Sequence, residues 1–321
     1  MIDIELYQQI FFPAAIERKK YLQAHGGKLA YYTDAETAIK ILKNREVWMR
    51  DTRVMNDANE VWHGFECLFN ALAKEGSPPS PFEDALNSVH SGVAEDIKSH
   101  LRAWAPGLIH DTYITCLSEH SPADYAYGRL SMWRAYGGKA GVALIFNSNF
   151  LNLRTTALAA YSSPVYYFGP DEVKSHLASV AANISNNIET LKECDRSSFV
   201  GMVFQMLRFL AVCTKHPAFR EEQEWRIISS PAIEKGDILQ PAYFCLGGIP
   251  QQILKIPLRN VPDQQITGIA PAELVEKILV GPCEYSDTLF QPLCAALSDA
   301  EVEDPGSKIR FTNIPLRQNQ R

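Results

Sequence analysis

The sequence predicts an α+β fold, with a mixed, mostly antiparallel sheet core and flanking helices. Three observations carry the prediction. Short β-type stretches and helix-period stretches alternate irregularly along the chain, no βαβ repeat with a G-x-G-x-x-G is present, and no internal repeat is found. At 321 residues the chain is long enough for one large domain or two small ones. The expected organisation is an N-terminal leader over residues 1–27, packed on a single domain over 28–321 with a helical insertion at about 170–214.

In order, the leader carries Ile10-Phe11-Phe12-Pro13 as an apolar anchor and His25-Gly26-Gly27 as a turn. Residues 29–32 read as a strand. Thr33-Asp34-Ala35-Glu36 reads as a capping box, opening a helix with Ala35, Ile39 and Leu42 at helical spacing. Residues 47–49 read as a second strand, followed by the polar run from Asp51 to Glu60. Asp57 with Glu60 has the form of another capping box, before a helix through Trp62, Phe65 and Leu68. A Pro-rich loop at 75–82 precedes a helix over about 83–103. Residues 112–118 and 142–146 read as strands, with a short helical turn ended by Gly137 and Gly138 between them. A short strand at 165–168 and two helices, at about 171–193 and 197–214, lead to a charged strand at 222–228. The second helix is apolar almost all round, which places it centrally. Stretches at 243–245, 253–257 and 275–282, a helix near 286–297 and a closing strand at 308–311 complete the chain.

Composition narrows the function classes. An apolar fraction of 46% with 21% charged residues is that of an ordinary globular protein. The formal net charge of −6 lacks the overall footprint of a protein that grips nucleic acid by its phosphates. The seven cysteines form no C-x-x-C pair, so they read as reduced thiols of a cytoplasmic protein. The acidic start, Met1-Ile2-Asp3-Ile4-Glu5, is not a signal peptide. Residues 199–212 are too short to span a bilayer and contain Gln205 and Arg208, so no membrane partner is expected.

The charged strand is the strongest site signal. Period-2 alternation puts Trp225 and Ile227 on one face and Glu222, Glu224 and Arg226 on the other, with neighbours on a face roughly 7 Å apart. Such a row can hold a sugar or nucleotide, one carboxylate facing developing positive charge while the other orients a proton. The structural alternative is a solvated edge strand whose charges prevent pairing. Asp51, Arg53 and Asn56 are left over from the second polar run, and a hydrogen-bonded turn explains them equally well. Arg134 is suited to a phosphate or carboxylate, although the glycines after it read as plain helix termination. Cys116 with His120 has the residue types of a thiol nucleophile and base, but no third orienting group accompanies them and the apolar neighbours favour a small buried cysteine; His216 reads as a loop hydrogen-bonder.

These pieces together resemble a mostly bacterial family known as domain of unknown function 2971. The matching residues are Tyr31-Tyr32-Thr33, Trp48-Met49-Arg50-Asp51, Asn56-Asp57-Ala58-Asn59-Glu60 and Ile114 to Glu119. They continue with Met132-Trp133-Arg134-Ala135-Tyr136-Gly137, then Phe219 with Glu222 to Arg226, and Ile278 to Pro282. The order Tyr32-Thr33, Ser118, Glu222-Gln223-Glu224 is also similar, more remotely, to the ADP-ribosyltransferases. Here Tyr32 stands where those enzymes carry His or Arg.

That second resemblance implies an ADP-ribosyltransferase-like fold using or cleaving NAD, with NAD as substrate and no metal. It implies Glu224 as the carboxylate that favours an oxocarbenium-like transition state and Glu222 as the residue that orients the acceptor. Tyr32, Thr33, Ser118, Arg226 and Arg53 or Arg134 would hold the dinucleotide, with Asp51, Asn56, Asp57, Glu60 and Tyr136 as further candidates. The implied acceptor is a protein or nucleic acid, and the implied setting a toxin or phage-defence effector. Two other functions remain open from the residues: a metal-dependent hydrolase of phosphodiester or glycosidic bonds in which Asp51, Asp57 and Glu60 meet the Glu222/Glu224 row, and a non-catalytic sensing or interaction module whose charged row binds a partner.

Overall fold

A computed structural model describes residues 3–55, 60–72, 76–246 and 248–315. The chain divides into two compact units, each assembled from separate stretches of sequence: residues 1–19, 52–112 and 163–220 in one, and 20–51, 113–162 and 221–321 in the other.

The first unit is helical. It contains α1 (Ile4–Phe11), α4 (Glu60–Ala71), α5 (Pro81–Val89), α6 (Val93–His110), α8 (Pro170–Asn186), α9 (Ile188–Lys192) and α10 (Arg196–Cys213). A two-stranded parallel ladder joins β6 (Tyr166–Tyr167) to β7 (Thr214–Lys215). The helix expected over 83–103 is two helices, because Gly92 takes a left-handed φ of 73° and starts α6 afresh. Ser80 closes a capping box on Glu83 ahead of Pro81, which sets the start of α5. The helix expected over 171–193 is also broken, at Asn187, whose side-chain amide donates back to the Asn183 carbonyl. α10 has the length and composition of a membrane-crossing helix, yet it is mostly buried, packing within this unit on α4, α6 and α1. The expected leader is itself helical: α1 sets Phe11 and the following Phe12 edge-on to Phe199 and Phe209. α2 (Pro13–Ala24) then carries the chain onward.

The second unit is built on a sheet of β1 (Lys28–Asp34), β2 (Glu46–Asp51), β3 (Tyr113–His120), β4 (Ala140–Phe146), β8 (Glu224–Ser229), β9 (Gln240–Leu246), β10 (Ile249–Pro257), β11 (Val275–Cys283) and β12 (Ile309–Phe311). The order is β12-β11-β4-β1-β3-β2-β10-β9, with β8 paired to β3 and to β5 (Tyr161–Pro164). The ladders in this path are antiparallel except β11 with β12, as the mixed, mostly antiparallel α+β expectation requires.

β3 is the branch point. One of its edges carries β8 from Tyr113 to Ser118. The other is shared: β1 pairs with Ser118 to His120, β2 pairs with Tyr113 and Ile114, and between them β1 and β2 part.

The faces follow from the register. Leu29, Val142, Leu144, Ile278 and Val280 point to α3 (Ala35–Asn44) and α12 (Phe290–Asp299) and form the larger core. Ala30, Tyr32, Ala143, Ile145 and Leu279 point the other way, onto Met132 and Trp133 of α7 (Leu130–Tyr136). Short helices α11 (Pro271–Leu274) and α13 (Pro305–Lys308) lead into β11 and β12. Trp133 lies in a cage of glycines, where a Cβ on Gly281 would stand 2.5 Å from its ring and one on Gly141 3.2 Å away.

α3 is capped by Asp34, not by Thr33: the Asp34 carboxylate accepts from the Thr37 amide at 2.7 Å, while Thr33 is still in β1. Asp34→Ala is expected to cost about 1 kcal/mol, read as a lower midpoint in urea unfolding with an unchanged slope.

Candidate functional site

Three strands bring Tyr32, Ser118 and Glu224 to one face. Ser118 lies opposite both Ala30 on β1 and Glu224 on β8, and Tyr32, two residues beyond Ala30, points the same way. Arg226 lies opposite Cys116 and shares this face; its Nε donates to Glu224 Oε1 at 2.7 Å. Arg226 is fully buried and Glu224 only 7% exposed. This is a charge-assisted pair inside the protein, not a row in solvent.

The solvated-edge alternative for β8 is therefore overturned, since the strand is paired on both sides and Trp225 on its other face is buried, donating to Glu119 Oε1 at 2.8 Å. One end of the sheet order is β9, which carries no charged residue between Gln240 and Leu246, and the other is β12, which carries Arg310.

Glu222 does not join the row. It ends the 3-10 turn Pro217–Glu222, and Gln223 follows with a left-handed φ of 43°, so the strand begins only at Glu224. Its main chain takes part in the site, where Ser118 Oγ donates to the Glu222 carbonyl.

Arg129, which sequence reasoning passed over, ties these pieces together. Its Nη1 donates to Ser118 Oγ at 3.0 Å and to the carbonyls of Glu221 and Glu222 at 3.0 and 3.1 Å. Its Nη2 donates to the Glu119 carbonyl at 2.7 Å, Gln223 Oε1 at 2.8 Å and Asp124 Oδ2 at 3.0 Å. Its backbone N–H donates to the Tyr32 hydroxyl at 2.9 Å. Burial pushes the Tyr32 phenol up to about 12, opposed by the Arg129 hydrogen bond and charge, so it stays neutral near pH 7. The nearest sequence signal for Arg129 was a lone arginine after Gly128, just ahead of the Met132-Trp133 pair.

The other candidates are dispersed. Thr33, opposite Val142, and Asp51, opposite Tyr113, fall on the reverse face of the sheet, so neither stands beside Glu224. Arg134 and Tyr136 lie exposed on α7. Arg53 belongs to the first unit, where its Nη1 lies 3.4 Å from His110 Nδ1. Asn56 and Asp57 lie outside the described residues, as does the side chain of Glu60, which opens α4. Arg50 was not a candidate but points to the site face, opposite Ile114, and donates to Gln251 Oε1 at 3.2 Å. Among the described residues, no three His, Cys, Asp or Glu side chains group as metal ligands.

At the end of β3, buried His120 stacks on Tyr125 with ring centroids 5.3 Å apart. Burial is the main cause holding its imidazole down at about 4, opposed by Asp124 and aided by Arg129, Lys28 and Lys277. The unfolded chain takes up this proton near 6.5 and the native protein only near 4, so stability is lost as pH falls through that window. His120→Gln is expected to flatten the fall in Tm between pH 6.5 and 4; a slope equal to that of the wild type would refute the assignment.

The profile of the family described as "Protein of unknown function (DUF2971)" matches residues 132–227. No curated protein and no solved structure matches the chain. The matched segment opens at Met132 in α7 and closes in β8, taking in Trp133, Glu224 and Arg226 and leaving Tyr32, Ser118 and Arg129 ahead of it. Over residues 132–227, about a third of its length, the chain is similar to the DUF2971 family of proteins of unknown function.

Proposed function

We propose that the protein is an ADP-ribosyltransferase-like enzyme that uses or cleaves NAD in the cytoplasm. The observation that supports this most is the convergence of Tyr32, Ser118 and Glu224, from three strands, on one face beside the point where β1 and β2 part along β3. A carboxylate held there can stabilise positive charge as it develops on a ribose more than it stabilises the substrate.

In the proposed reaction the bond between ribose C1′ and the nicotinamide nitrogen breaks, and nicotinamide leaves with the electron pair. Glu224 faces the resulting oxocarbenium character, held in orientation by Arg226. Water or an acceptor nucleophile then adds to C1′ and loses its proton to a base. Tyr32, kept neutral, supplies a hydroxyl and an aromatic edge to the dinucleotide.

The test is incubation of the purified protein with NAD labelled in its adenylate half, with and without cell extract. Nicotinamide release is the expected result, and label retained on protein or nucleic acid identifies the acceptor. Absence of both NAD binding and turnover, with and without extract, would sink the proposal.

A further inference from the structure

We propose that Arg129 is the positioning residue of this site: its guanidinium holds the Glu222-Gln223-Glu224 turn against β3, so that Glu224 enters the sheet opposite Ser118. The catalytic consequence rests on the NAD reading above; the positioning itself does not.

Geometry carries the inference. Arg129 donates to the carbonyls of Glu221 and Glu222 and to the side chain of Gln223, three consecutive residues ahead of β8, and also to Ser118 and the Glu119 carbonyl on the strand β8 must join. The turn needs such a restraint. Gln223 sits at φ 43°, a left-handed backbone that an L side chain adopts only when its surroundings enforce it. Gln223 is restrained at two points, Oε1 by Arg129 and the carbonyl by the Glu119 amide at 2.9 Å. Asp124 accepts from the same Nη2 at 3.0 Å, and its side chain and that of Arg129 are 15% and 13% exposed. Burial acts to raise the Asp124 carboxyl, but the hydrogen bond and charge of Arg129, with Ser121, bring it net below its ordinary value.

A lysine cannot substitute for this arrangement. It offers one nitrogen and three donors where the guanidinium spreads five across a plane.

The experiment compares the wild type, Arg129→Lys, and Arg129→Lys combined with Gln223→Gly, which removes the φ penalty. Amide exchange in Arg129→Lys is expected to rise about tenfold over residues 219–226 and to stay unchanged over β4 and β11. NAD turnover is expected to lose about 10²-fold in kcat with KM within about threefold, because a misplaced carboxylate fails chiefly in the transition state. Gln223→Gly should recover part of both losses. Unchanged exchange over 219–226, or a rise in KM with kcat intact, would overturn the proposal. If the wild type never consumes NAD, looser exchange rescued by Gln223→Gly still supports the clamp, and only the NAD reading falls.

Discussion

Glu224→Gln is expected to slow nicotinamide release by about 10³-fold, almost entirely in kcat, because an amide cannot offer full negative charge to a developing oxocarbenium ion. The variant should remain folded. The amide oxygen can still accept from Arg226 Nε, which the carboxylate now does at 2.7 Å, so the buried guanidinium keeps a partner. Glu224→Ala would remove that acceptor altogether, at about 3–5 kcal/mol for breaking a buried ion pair. Thermal melts separate the two effects: slow turnover with a near-normal Tm is the expected signature of Glu224→Gln. Glu222→Gln should cost less than about tenfold in rate, since its side chain lies off the strand and the site uses its carbonyl. Full activity in Glu224→Gln would remove Glu224 from the chemistry.

The largest expected effect on stability is at Trp133. Trp133→Ala should lose about 3–5 kcal/mol, through the cavity left between α7 and the Ala30, Ala143 and Leu279 face. It would also strip the Tyr127 carbonyl of the indole N–H that reaches it at 2.7 Å. The converse change, Gly281→Ala, places a Cβ 2.5 Å from the ring and should cost about 1–3 kcal/mol by overpacking. Combining Gly281→Ala with Trp133→Phe should cost less than the sum of the two single changes, because both act on one contact. Urea unfolding reads all of these; additive values would mean that ring and glycine do not share the strain. Two of the segments that carry the family resemblance, Met132 to Gly137 and Ile278 to Pro282, thereby have a packing explanation. Trp133 and Gly281 read as scaffold, apart from the pair Glu224 and Arg226 to which the proposed chemistry is assigned.

The local signals were legible for a physical reason. Alternation at period 2 marked β8 and put Glu224 and Arg226 on one face, and all-round apolarity marked α10 as a central helix. Both patterns are set by residues a few positions apart. The same local logic misplaced Glu222 and the α3 cap. A strand pattern extended two residues upstream does not reveal the left-handed Gln223, and Thr33 and Asp34 offer equivalent capping side chains until the end of β1 chooses between them.

By itself, then, the sequence determined the α+β class, most of the strands and helices, and the placing of Glu224 and Arg226 on one face of β8. Tertiary structure alone decided which faces meet. Ser118 pairs with Glu224 across more than a hundred residues of chain, Thr33 and Asp51 turn away because register fixes every second side chain, and Arg129 gathers carbonyls from two distant strand ends. A hydrogen bond to a backbone carbonyl leaves no mark on the acceptor's residue type. The residue that organises this site was therefore invisible until the strands were paired.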